Sequence, residues 1–484
     1  MNFREILSDA GVSFFRKLVT IGSGFVIIPI ITRKLGAEEY GIWVTLISFV
    51  GLMTTVSGLH LHGALIRYSQ RERDEEIFIN IFTLSSIVSV GTVVTILILS
   101  IVIGRAGLLE SISFNHLIPV GILIGLRIII ELVLNSLRAR KRIKHYELAY
   151  TIRLLLETSA IAVAVWYAQS LVTALWALVG VTLLLDILLL AILLPRPVPR
   201  PNPSSFKRYL SYGIPMIPKE ISGSLLNHAD KFLIIYFLGP VATGVYAVAY
   251  TVTTTFPAVT GIFNSTLYPR VSEAWDNKDF NDLRKFYSVF IRWYIILILP
   301  AIAGVSILAT PLLQLISTGE IATEAAVLVP ILAAAFAFQG LEYSLSYPLA
   351  AGEETKKIAV ITVIAVVVNI GANVALIPTL GLSGAAIATF FAFALRTGCL
   401  YHYSNQFFDI ALPVIGGLKS GISTIIMILS LIWIPIEHSA AQLVAFPIIG
   451  AVVFFITFIL LGGVHSSEWN RLRSLINISG IGLS

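Results

Sequence analysis

Apolar runs of about 20 residues recur along the whole chain, each long enough to cross a hydrocarbon core roughly 30 Å thick as a helix. The run Val172–Leu194, "VTALWALVGVTLLLDILLLAILL", carries a single ionisable group. Only 12% of the 484 residues are charged, against roughly 25% in a soluble domain. That is too little charge to coat a water-soluble surface. The expectation is an all-α, polytopic membrane protein of about 14 spans. Little sequence lies between the spans, which leaves no room for a sizeable soluble catalytic domain.

The net charge of +6 belongs to the loops and is not a nucleic-acid footprint. With the N-terminus placed in the cytoplasm, the inner loops hold Arg67, Arg71 and Arg73, then Arg138, Arg140, Lys141, Arg142 and Lys144, then Arg196, Arg200, Lys207 and Arg208. Arg270, Lys278, Arg284, Lys285, Lys356, Lys357, Arg396 and Lys419 follow, while the outer loops hold only Arg33, Lys34 and Arg105. The positive-inside bias therefore predicts both termini in the cytoplasm and a multi-pass protein of the cell membrane. The N-terminus lacks the pattern of a cleaved signal peptide. The lone Cys399 excludes an internal disulfide and a cysteine-based metal site.

Two segments interrupt the spans. "PRPVPRPNP" (Pro195–Pro203) reads as an extended connector. Ser265–Phe290 has apolar residues at helical spacing and is expected to lie on the membrane surface. Long-range repetition is visible as well. "LGAEEYGIW" from Leu35 and "LGPVATGVY" from Leu238 share a pattern 203 residues apart, and "LRARKRIKHY" from Leu137 matches "LAAGEETKKI" from Leu349 at an offset of 212. Similar offsets predict two parallel six-helix lobes, residues 1–200 and 205–405, with two further spans and a cytoplasmic tail in 406–484. In repeat-built transporters the substrate site lies where the repeats meet.

The seventh span, "IPKEISGSLLNHADKFLIIYFLG" (Ile217–Gly239), is unusually polar. At about 100° per residue, Lys219, Glu220, Gly223, Asn227, Asp230 and Lys231 fall within roughly a third of the helix circumference. A charge at the centre of a span costs about 2.5–3.5 kcal/mol, so this face is expected to border water, with Asp230 and Lys231 as functional residues. Two bland alternatives stand beside it: Lys219 and Glu220 mark the span end, and Asp230 with Lys231 forms a structural pair. Arg127 with Glu131, and Arg153 with Glu157, stand four apart on the fourth and fifth spans and are suited to neutralise each other within one helix. Asp186 and Glu342 have no partner nearby in sequence; they are candidates for proton or sodium sites, or for pairing with Arg127, Arg153 or Lys231. Asn369 and Asn373 suit bonds between helices, and His60 and His62 an interfacial position.

No P-loop, H-E-x-x-H or acidic nucleotide-sugar motif is present in a loop able to hold one. No resident metal or cofactor is expected.

Several stretches resemble the polysaccharide-export and O-antigen flippase families of the multidrug/oligosaccharidyl-lipid/polysaccharide exporter superfamily. They are "NHADKFLIIYFLGPVATGVYAVAY" (Asn227–Tyr250), "LYPRVSEAW" (Leu267–Trp275) and "VNIGANVALIPTLGLSGAAIAT" (Val368–Thr389). The resemblance implies a V-shaped, two-lobe transporter with a central cavity. It also implies movement of a lipid-linked oligosaccharide from the cytoplasmic to the outer leaflet, coupled to H+ or Na+. On that reading Lys219, Lys231, Arg127, Arg153 and Asn227 would meet the phosphate-bearing substrate, and Asp230, Asp186, Glu131, Glu157 or Glu342 the coupling ion. The partners would be the lipid-linked glycan, membrane lipids, and glycosyltransferases or a polymerase of the same pathway, with the chain itself a monomer. The alternative is a multidrug/cation antiporter of the same fold, whose cavity should be net acidic and aromatic-lined. A membrane-embedded glycosyltransferase and a non-transporting scaffold fit less well, for want of a catalytic loop and because of the buried charge.

Overall fold

The computed structural model describes residues 3–69, 74–106, 112–195, 197–407, 409–434 and 440–464. Arg71, Arg73, Arg196 and the tail from 465 onward lie outside them; of Arg105 and Arg270 only the backbone is described. The described residues form helices and no strands. In chain order the helices are α1 (Phe3–Lys34), α2 (Gly36–Ser57), α3 (Leu61–Tyr68), α4 (Asp74–Ala106), α5 (Phe114–Ala139), α6 (Ile143–Ala168) and α7 (Leu171–Leu193). Then come α8 (Phe206–Gly213), α9 (Ile217–Thr253), α10 (Thr255–Asp276), α11 (Phe280–Ile307), α12 (Ala309–Ile316) and α13 (Gly319–Ala326). The last four are α14 (Val329–Ala351), α15 (Thr355–Ser404), α16 (Val414–Ile432) and α17 (Ala440–Leu460).

Among the described residues, eleven helical stretches are long and apolar enough to cross a membrane, twelve if α13 and α14, bent by 61°, make one span. The 50 residues of α15 would extend about 75 Å if straight, more than twice the hydrocarbon thickness. Instead α15 breaks at Gly381 and α9 breaks at Gly239, each glycine in the left-handed region that other residues avoid (φ 58° and 85°). The expected total of about 14 divides α15 and α9 at these glycines, its eighth span (243–265) running over the end of α9 into α10.

The repetition in sequence reappears in the backbone. Gly36 and Gly239, equivalent in the first motif pair, both have positive φ, 95° and 85°. Lys141 and Glu353 are equivalent in the second pair and take φ 58° and 59°. The N–H groups of residues 140, 141 and 142 donate to the carbonyls of 136, 138 and 137, and those of 352, 353 and 354 donate to 348, 350 and 349. Each set caps a helix end with a left-handed residue. Gln169, between α6 and α7, has φ 48° and stands at the same offset from Gly381.

Burial is arranged for lipid rather than water. On α7, Leu183, Leu184, Ile187 and Leu188 are exposed, whereas Thr182 and Asp186 are buried. Buried hydroxyls such as Thr32, Thr45 and Thr182 donate to the carbonyl four residues back in their own helix, the local solution where water is absent. The main apolar core gathers residues of both sequence halves, among them Trp43, Leu46, Ile124 and Val165 with Tyr246, Val248, Phe336 and Phe393.

Three local expectations change. The surface helix over Ser265–Phe290 is not a separate element: α10 runs to Asp276 and α11 begins at Phe280, so the apolar spacing belongs to two helix ends. Leu267, Val271, Leu283 and Tyr287 bury together in a small core there. The apolar run 288–316, expected as one long ninth span kinked at Pro300 and Pro311, divides instead: α11 contains Pro300 and ends at Ile307, and Pro311 lies inside α12 just beyond the break. Arg396, expected in a loop, lies inside α15.

Candidate functional site

A cavity of about 620 Å³ is bounded by α2, α3, α4, α5, α6 and α9. Its polar wall is formed by His60, His62, Arg127, Glu131, Arg153, Glu220 and Asn227, with Ser85, Thr54, Thr55 and Ser224 between them. Ile47, Val50, Leu61, Ile128 and Leu132 supply the apolar part.

The charged groups on α5 and α6 form one crossed cluster. Arg153 is 4% exposed; its Nε donates to Glu157 Oε1 (2.9 Å) and its Nη1 to Glu131 Oε1 (3.1 Å). Arg127 Nη2 donates to Glu157 Oε2 at 2.9 Å. The spacing of four residues joins Arg153 to Glu157 within α6. Arg127, however, bonds across to α6, and Glu131 takes its bond from Arg153. Helix-to-helix pairing thus replaces the within-helix pair expected on α5, because side chains facing a neighbouring helix can meet partners that sequence spacing does not reveal. The cluster continues to α1: Arg16 Nε pairs with Glu147 on α6, and the guanidinium groups of Arg16 and Arg153 both lie over the Tyr150 ring. Two isolated buried ions would be prohibitive in hydrocarbon; a bonded cluster is tolerated.

Asp186, on α7, stands apart. It is 3% exposed, and neither carboxylate oxygen has a hydrogen-bond partner. It pairs with none of Arg127, Arg153 or Lys231. Glu342 does pair, through Oε2, but with Arg396 of α15; this replaces the proposed partners across the cavity.

The polar face of α9 divides along its length. Glu220, Gly223, Ser224 and Asn227 border the cavity. Lys219 is exposed and off the cavity wall. Asp230 and Lys231 are buried against other helices and also leave the wall. The Asp230 carboxylate accepts from the Lys231 backbone N–H and from Tyr246 Oη, both at 2.8 Å. The Lys231 ammonium instead donates to the Asn227 carbonyl at 2.9 Å and sits 3.8 Å above the Tyr250 ring. The expected ion pair of adjacent residues is therefore absent among the described contacts: neighbours on a helix point about 100° apart, and each finds its own partner. Asn227 has Gln339 as a further partner, whose Nε2 donates to Asn227 Oδ1 at 2.9 Å. Asn373 Nδ2 bonds Asn369 within α15 rather than between helices.

Sequence reasoning also missed a contact that links distant parts of the chain at the cavity. His60 Nδ1 lies 2.6 Å from Glu220 Oε1, joining the start of α3 to the start of α9. The histidine-x-histidine spacing at a span end was the available signal.

Residues 30–320 match the model of a family described as polysaccharide biosynthesis protein. The chain is 26% identical over 412 residues, 82% of its own length and 83% of the relative's, to a protein of Haloferax volcanii named "Probable low-salt glycan biosynthesis flippase Agl15". Among solved structures, the fold is shared with a lipid II flippase MurJ in an inward closed conformation (TM-score 0.77, 13% identity, covering 94% of this chain and 98% of that one). It is also shared with an inward-facing multidrug resistance MATE family transporter of the MOP superfamily (TM-score 0.63, 17% identity, 81% and 94%).

Proposed function

Since the chain belongs to the polysaccharide biosynthesis protein family, we propose that it is a flippase. Its cargo would be a polyprenyl phosphate- or pyrophosphate-linked oligosaccharide, carried from the cytoplasmic to the outer leaflet by ion-coupled alternating access. The observation that carries the reading is a cavity walled by both Arg127 and Arg153, each held by carboxylates that an anionic head group would compete with. Arginine binds phosphate through paired N–H donors, and the cavity hydroxyls and Asn227 offer hydrogen bonds to sugars. The polyprenyl tail stays in lipid, against the exposed apolar faces.

Alternating access needs a cavity that closes at either end. Here α2 and α9 pack backbone to backbone where the two "LG" motifs meet, and at the opposite end a polar contact joins His60 to Glu220. The basic turn Arg138–Arg142 lies at the His60 end, since α3 packs on α5. Loop charge supports placing that end in the cytoplasm, in the cell membrane. Asp186, with both oxygens unpartnered, is the best-placed residue for a coupling proton or sodium ion. Asp230, bonded to Tyr246, would serve less directly. The proposed partners are glycosyltransferases or a polymerase of the same pathway, and the working unit a monomer.

A multidrug/cation antiporter would call for an acidic, aromatic-lined cavity. Among the described residues, the wall contains Arg127 and Arg153 against Glu131 and Glu220, and no Phe, Tyr or Trp. The test is translocation of a fluorescent lipid-linked oligosaccharide in proteoliposomes. Arg127→Ala should lower the rate at least tenfold while the protein inserts normally; an unchanged rate refutes the arginine wall as the substrate site.

A further inference from the structure

His60 and His62 are separated by one residue, yet their rings face the same point, with centroids 4.7 Å apart. On a continuous helix, residues two apart point about 200° from each other. The convergence comes from the backbone: Leu59 and His60 both take left-handed φ, 49° and 52°, between α2 and α3. Gly63 lets the ring settle there, since a Cβ at that position would lie 2.0 Å from His60 Nε2. His60 Nδ1 is left to face Glu220. The three ligand atoms, His60 Nδ1, His62 Nε2 and one Glu220 carboxylate oxygen, all lie within 4.8 Å of one another.

We propose that His60, His62 and Glu220 form a site for a late transition-metal dication of the Zn2+ class, which clamps α3 to α9. Two imidazoles and one carboxylate are a recurrent zinc donor set with a fourth position open. Imidazole nitrogen selects Zn2+, Cu2+ or Ni2+ over Mg2+ or Ca2+. Bonds of about 2.0–2.1 Å place tetrahedral ligand atoms roughly 3.3–3.5 Å apart. The His60–Glu220 and His62–Glu220 separations, 2.6 and 3.9 Å, bracket that spacing, and the two imidazoles lie within 4.8 Å, so changes in separation of up to about 1.5 Å complete the site. All three side chains border the cavity, so the fourth position opens toward it. Two ligands come from the first half of the sequence and one from the second, and a bound ion would hold the two halves together at this end. The clamp does not depend on what the cavity carries.

The test uses the purified full chain in nanodiscs, with Zn2+ as the probe and a chromophoric chelator as competitor. Wild type should bind one Zn2+ that His62→Ala weakens at least 100-fold and His62→Cys restores, while Mg2+ does not compete. A second readout places spin labels at Ser69→Cys and Lys219→Cys in a Cys399→Ser background. Zn2+ should narrow their distance distribution, and His62→Ala should abolish the narrowing. Equal Zn2+ affinity in wild type and His62→Ala overturns the site; ligand-dependent binding with an unchanged distance distribution overturns the clamp. His62 lies 3.9 Å from Glu220, too far for a hydrogen bond, so its removal costs the ring contact with His60 and leaves the His60–Glu220 bond in place. The test therefore stands even if His60→Ala or Glu220→Ala fails to fold.

Discussion

Gly41 and Gly244 occupy the same place in two copies of one sequence motif, and each lets α2 and α9 approach backbone to backbone. A Cβ on Gly41 would lie 1.8 Å from the Pro240 carbonyl oxygen, and one on Gly244 would lie 2.4 Å from that of Ala37. The contact is reciprocal, so the two halves of the chain meet here through equivalent surfaces, and no side chain fits between them.

We predict that Gly41→Val or Gly244→Leu prevents the helices from closing at this end. Lipid-linked oligosaccharide translocation should fall at least tenfold, with normal membrane insertion. Cysteines on the cavity wall should become reactive to an impermeant reagent added from the Gly41 side. Wild-type rates in both variants would disprove the closure role.

Arg153 bridges Glu131 and Glu157. Arg153→Ala should cost about 3–5 kcal/mol, because breaking a buried ion pair leaves charge uncompensated. Thermal unfolding in detergent measures it. Replacing Arg127 and Arg153 together with both carboxylates by apolar residues should recover most of the loss, since removing Glu157 alone would strand Arg127; a quadruple variant as unstable as the single would contradict the electrostatic account.

Glu342 and Arg396 should behave as a coupled pair. Arg396→Ala alone is expected to destabilise by roughly 3–5 kcal/mol, and Glu342→Leu with Arg396→Leu by much less. A double-mutant cycle reads the coupling; additive effects would mean the contact contributes nothing.

Asp186→Asn removes no hydrogen bond, so stability should change by less than about 1 kcal/mol. If the carboxylate takes the coupling ion, the stimulation of transport by a proton or sodium gradient should vanish while basal exchange persists. Retained stimulation by both gradients would eliminate Asp186 as the coupling site.

A cysteine scan along α9 should label Gly223→Cys, Ser224→Cys and Asn227→Cys from the cavity and leave Asp230→Cys and Lys231→Cys unlabelled. Lys231→Ala is accordingly expected to act on folding, through loss of the Asn227 and Tyr250 contacts, rather than on substrate affinity. Strong labelling at Lys231→Cys would place it back on the cavity wall.

The sequence alone determined that the chain is helical and crosses a membrane many times, because hydrocarbon demands long apolar helices whatever their neighbours. It also determined the internal repetition, since a turn such as Leu35–Gly36 or Leu238–Gly239 needs a glycine and leaves a local signature. Arg127, Glu131, Arg153 and Asn227 were legible as cavity residues because polarity inside a span is conspicuous. Tertiary structure decided which charges meet. Arg127 with Glu157, Glu342 with Arg396, His60 with Glu220, and Asp230 with Tyr246 rather than the Lys231 ammonium are partnerships between separate turns or helices. They depend on which faces pack together, and periodicity along one helix carries no information about the face of another.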